Sequence, residues 1–321
     1  MVVSRRFQNL IADSPYSGGK WLRRVNLADQ LFGNTPTEDG SESALAQDSA
    51  SQIMTPSCYP KNWNRRAAIA ALKMERIRIP SPIFRFQAAK APNLSMHCFP
   101  LVDHKVVMAD HTGRMFQCDA STREVVTMAP NLQKAKSWPI SMFIPSADVI
   151  GSDICISTNS CNNTYRLDTA RNSWQVSNVK LPLYGKVEYV PELKLWFGFT
   201  KQQPKCLQVL AAADLSSSAM DSQSQPQLIG DWKEFEPPEG WMLTRGPQLV
   251  NLGSGRFCIA RFFKTMTMDL DEVIDRFVVL TGVEVIPVGQ DGDASTGIKL
   301  RMIKHKSRFH VSNATIIRAI F

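Results

Sequence analysis

Three groups of side chains have types and spacings that could do chemistry. Asp269, Asp271, Glu272 and Asp275 crowd into one short stretch. A hard cation takes several oxygens from a single loop, but this stretch has neither the glycine nor the ligand spacing of a calcium loop. It reads as a solvated face between two strands, and no metal is expected. His104 and His111 each follow an aspartate, and a carboxylate beside an imidazole can make a general base. No Ser or Cys stands in a nucleophile-elbow context, and HxH and HExxH are both missing. These histidines, with His97, His305 and His310, read as corner residues, and no catalytic residue is assigned. The third group is basic: Lys299, Arg301, Lys304, Lys306 and Arg308. Lys299 and Arg301 alternate with Ile298, Leu300 and Met302, which predicts a strand with one basic and one apolar face. Such a face could meet a phosphate backbone. Charge on an outer strand also keeps sheets from pairing edge to edge, and no RNP-like aromatic motif accompanies the basic residues.

The bulk properties narrow the classes. With 44% hydrophobic residues, the 321-residue chain has enough apolar material for a real core. No stretch approaches the roughly 20 apolar residues that a spanning helix needs. Arg5 and Arg6 are followed by no apolar signal region. The seven cysteines are odd in number and form no CxxC pair, so zinc is disfavoured and free thiols in a reducing compartment are expected. A cytoplasmic or nuclear location follows as the expectation, with no cofactor. The net charge of +8 is scattered along the chain.

The elements that would position these residues are mostly short strands. Val106–Ala109, Met115–Cys118 and Glu124–Met128 are joined by polar turns, which predicts a meander. The figure recurs in Asp153–Ser157, Thr164–Asp168 and Ser173–Val176. Phe116 aligns with Tyr165, Asp119 with Asp168 and Val125 with Trp174, at one offset of about 49 residues. A period of that size in an all-β chain marks propeller blades, because one blade cannot bury both of its faces alone. Weaker sets cover Lys186–Tyr189, Leu195–Phe199, Cys206–Leu210 and Trp232–Phe235, then Arg256–Arg261, Phe277–Thr281 and Ile298–Ile303. Gly253-Ser254-Gly255 reads as a hairpin turn.

The expected fold is therefore an all-β propeller of five blades, with six as the alternative count and a β-sandwich or irregular β-barrel as the alternative fold. Residues 1–32 are read as strands of a closing blade shared with residues 311–321. Residues 33–73 form an excursion, polar and disordered over 33–57, with a short helix over 65–73. Residues 74–321 supply the rest of the propeller. Closure removes exposed sheet edges.

Tyr165-Arg166-Leu167-Asp168, followed by Trp174, resembles the last part of a kelch repeat. Arg5–Ile11, Leu22–Val25, Met74–Pro80, Asp110–Arg114, Gly255–Ala260, Leu280–Val285 and Leu300–Ser307 together resemble a grass-expanded plant family of unknown function (domain of unknown function sixteen-sixty-eight). That resemblance implies a kelch-like propeller and supplies no catalytic residues. The functional expectation is a non-enzymatic module that binds another protein, with a substrate adaptor as one version. A small-molecule or enzyme site in the central channel, and weak nucleic-acid binding through residues 299–308, stay open as alternatives. No membrane association is expected.

Overall fold

The computed structural model describes residues 7–13, 19–33, 74–86, 97–100, 105–109, 114–128, 153–157, 164–168, 173–177, 181–200, 207–215, 226–266, 273–288, 299–311 and 316–321. Apart from one helix, the regular elements among the described residues are all strands. In chain order they are β1 (Gln8–Asp13), β2 (Lys20–Val25), one helix α1 (Leu27–Phe32), β3 (Glu75–Arg76), β4 (Phe84–Phe86), β5 (His97–Pro100), β6 (Lys105–Ala109), β7 (Met115–Asp119), β8 (Val125–Met128), β9 (Asp153–Ser157), β10 (Thr164–Asp168), β11 (Ser173–Ser177), β12 (Tyr184–Val190), β13 (Leu195–Phe199), β14 (Leu210–Ala213), β15 (Leu228–Trp232), β16 (Met242–Leu243), β17 (Gln248–Gly253), β18 (Arg256–Met266), β19 (Val273–Pro287), β20 (Leu300–Val311) and β21 (Ile317–Ile320).

These strands make an all-β, propeller-like arrangement. Four sheets have the three or four strands of a blade: β5-β6-β7-β8, β11-β10-β9, β12-β13-β14-β15 and β21-β1-β2-β4. The fifth is larger. It runs β16-β18-β19-β20-β3, with β17 also paired to β18.

Four of the sheets stack face to face. Ile11 and Leu22 of the β21-β1-β2-β4 sheet pack on Val106, Met108 and Cys118. Its other face puts Leu10, Ala12 and Val25 against Cys258, Ala260, Phe262 and Leu280 of the large sheet. The far face of the large sheet, with Phe257, Ile259 and Val283, packs on Phe197, Phe199 and Leu210. Each of these four sheets thus covers an apolar face that it could not bury alone.

The chain ends meet in one sheet, where β1 pairs with β2 and with β21. The far edge of β21 is met by a side chain. Gln248 Oε1 accepts from the Ile320 N–H at 3.1 Å, and its Nε2 donates to the Arg318 carbonyl at 3.3 Å. One amide side chain thereby imitates a ladder pair on an exposed strand edge.

Several expectations need correction. The strand reading of residues 1–32 fails at its end, where Asn26 caps a helix by accepting from Asp29 N at 3.1 Å. The short polar side chain satisfies an orphan amide and so starts the turn. The third and fourth strands of the β12–β15 sheet are Leu210–Ala213 and Leu228–Trp232, not the segments predicted. Three alanines mask the third strand, because Ala is a poor strand former in isolation. β18, β19 and β20 are also far longer than expected. The polar stretch 34–57, the helix predicted over 65–73, His104, His111, and Asp269, Asp271 and Glu272 lie outside the described residues.

Candidate interaction surfaces

The 49-residue offset appears as structure. β7 and β10 span Met115–Asp119 and Thr164–Asp168, each the middle strand of its meander. Phe116 faces Met108 and Thr127 across the ladders, and Tyr165 faces Ile156 and Val176 in the same register. Val125 pairs with Cys118 as Trp174 pairs with Leu167. Asp119 closes the turn after β7. Its Oδ1 accepts from Ser121 N at 2.7 Å and Thr122 N at 3.1 Å, and from the Ser121 hydroxyl. These donors favour the ionised carboxylate and hold it below its ordinary range, the Ser121 side chain contributing most. Arg123 takes a left-handed backbone with φ 63° within the same turn.

The outer strands of three blade-sized sheets carry exposed apolar side chains. Val125 and Val126 on β8 are 48% and 58% exposed. Val176 on β11 is 60% exposed, and Leu228 and Ile229 stand out on β15. All three strands end their sheets. Apolar groups placed on sheet edges are candidate contact points for another chain.

The five basic residues near the C-terminus do not form one face. β20 bulges opposite Gly282, since Thr281 pairs with Ser307 but Val283 pairs with Lys304. Lys304 therefore shares the face of Met302 and lies 5.9 Å from the Phe235 ring. Arg301 falls on the other face, which also carries Glu284. Arg308 is committed: it pairs with Glu75 at 2.6 Å and donates to the Gln30 carbonyl at 2.7 Å. Lys299 lies just before the strand and is exposed, and Lys306 falls in the bulge. The predicted basic patch divides because Arg301 and Lys304, three residues apart, alternate to opposite faces, and the extra residue after Lys304 returns Arg308 to the face of Arg301.

Two arginines, one buried and one half-buried, escaped the sequence reading. Arg261, 1% exposed, sits in the middle of β18 on the face toward the β12–β15 sheet. It makes a two-point ion pair with Glu234, including Nη2 to Oε2 at 2.9 Å, and donates to the Gln208 carbonyl at 2.6 Å. It therefore ties the large sheet to segments flanking β14 and β15. The signal available was an arginine inside the apolar run Phe257–Phe263. Arg245 lies with its guanidinium 3.5 Å from the Phe262 ring centre and donates to the carbonyls of Ile317 and Arg318. Burial, with Arg318 beside it, pushes its pKa down to about 10.

Cys98, Cys118 and Cys258 are free thiols. Burial raises the pKa of all three, that of Cys118 to about 11, so none is a ready nucleophile. Among the described residues no group of three His, Cys, Asp or Glu side chains could hold a metal ion. No helix among them is long and apolar enough to cross a membrane.

A family described as "Protein of unknown function (DUF1668)" matches residues 5–149 and 144–310. The chain belongs to this family. The two matched stretches of this DUF1668 member take in all five sheets, β21 alone falling beyond them. No curated protein matches the chain. Among solved structures, the N-terminal domain of Nup159 is similar at 10% identity and a TM-score of 0.25, over 70% of this chain and 50% of that one. BamB from Moraxella catarrhalis is similar at 11% identity and a TM-score of 0.20, over 63% of this chain and 64% of that one. The chain spans less than two thirds of the length of either.

Proposed function

We propose that this chain is a non-enzymatic protein-interaction module of the kelch-like propeller type, acting in the cytoplasm or nucleus of a plant cell. A substrate adaptor is the specific version of that role. The observation that carries the reading is the set of exposed valines on β8 and β11, at the outer ends of the two sheets with the kelch-like spacing. Rigid sheets that present side chains at fixed spacing make a platform for a partner rather than a reaction site. Asp119 and its turn support the kelch-like assignment, since the aspartate fixes the corner after the middle strand.

The test is affinity capture of the tagged full-length chain from its own tissue, beside a Val125→Lys/Val126→Lys double variant. A protein partner captured by the parent chain and reduced at least about ten-fold with the variant supports the reading. Capture of only RNA or a small ligand, or equal capture of the same proteins by both chains, overturns it.

A further inference from the structure

We infer that Trp21, Arg23 and Arg85 form a surface that takes an acidic peptide segment of a partner protein. The inference rests on the interaction-module reading above and adds the chemistry of what is bound. Trp21 and Arg23 are two residues apart on β2, so they share a face. Arg85 on β4 pairs directly with Trp21 across the ladder. Both guanidiniums lie over one indole, Arg23 at 5.0 Å from the ring centre and Arg85 at 5.8 Å. The Pro80 carbonyl accepts from Arg23 and holds it there. Arg85 is exposed and Trp21 is half-buried, so the cluster is open to a partner.

The arrangement concentrates positive charge at one point. Two like charges share one ring, and burial together with the Arg85 charge lowers the pKa of Arg23. Two other basic residues of the same sheet have a carboxylate, since Lys20 and Arg318 share Asp13, whereas Arg24 lies over the Phe7 ring. Among the described residues neither Arg23 nor Arg85 has one. A guanidinium fork matches a carboxylate at two points, so two forks beside one indole suit neighbouring Asp or Glu side chains. A nucleic acid fits less well. It needs a longer track of cations for successive phosphates, and both guanidiniums already stand over the ring on which a base would stack.

The test is fluorescence anisotropy of a labelled hexaglutamate peptide with the full chain at low salt. A single-stranded oligonucleotide of equal charge and inorganic phosphate serve as competitors. The parent chain is expected to bind the peptide, Arg23→Gln/Arg85→Gln at least about ten-fold more weakly, and Lys304→Gln like the parent. Arg85→Glu alters only an exposed side chain and is expected to abolish binding with the fold intact by circular dichroism. Absent binding, equal binding by the variants, or preferred binding of the oligonucleotide or phosphate overturns the inference. Partner capture that survives Arg85→Glu but fails with Val125→Lys/Val126→Lys leaves the interaction module standing and removes this site from it.

Discussion

Every residue of β18 from Phe257 to Phe263 is buried, whereas on β8 Val125, Val126 and Thr127 are all exposed. β18 is covered by sheets on both faces. β8 ends its sheet and carries valines into solvent. The same residue types thus hold the fold together in one region and offer a surface in the other. The two sheets with a legible repeat both have exposed outer strands. The large sheet, with no clear repeat, holds the core and both closing devices, Arg261 and Arg245.

Three measurements would break or sharpen that contrast. The largest effect is expected at Arg261. Arg261→Met leaves Glu234 buried without its partner, which costs about 3–5 kcal/mol in a urea unfolding curve. Adding Glu234→Leu is expected to recover much of that loss, and a single variant as stable as the parent would show that the pair is not buried in solution. Next comes Gly255, which has φ +70° and a backbone so close to Val285 O that a Cβ would sit 2.6 Å from it. Gly255→Ala is expected to destabilise by about 1–3 kcal/mol through left-handed strain. A neutral result in thermal unfolding would mean that the hairpin before β18 opens freely. The smallest effect belongs to Asp119. Its folded pKa lies below the ordinary 3.8, so its contribution is fully present above that value and is lost as pH falls through the lower folded value. Asp119→Asn is expected to lower stability slightly at pH 7, where that contribution is present, and to flatten the acid limb. A large change at pH 7 would place this turn in the core rather than at the blade margin.

Much of the sheet that carries β8 was legible and less of the sheet that carries β18. Phe116, Asp119, Tyr165 and Asp168 sit on matching strands because short strands with polar turns encode their register locally. Gly253-Ser254-Gly255 was likewise readable, and all three residues have positive φ. The basic residues near the C-terminus were read as one patch, although the odd spacing of Arg301 and Lys304 already parts them; only the bulge that moves Arg308 depends on pairing with β19 and leaves no local mark. Ala211–Ala213 escaped because their strand exists through burial between neighbours rather than through propensity.

The sequence by itself determined an all-β chain with repeated meanders, turn positions and family membership, since alternation, turn chemistry and spacing are properties of neighbours along the chain. Tertiary structure alone decided which sheets lie inside, where β20 changes face, that Arg261 meets Glu234, and that Trp21 carries two arginines. Those outcomes depend on residues far apart in sequence, whose charges and areas interact only once the sheets have packed.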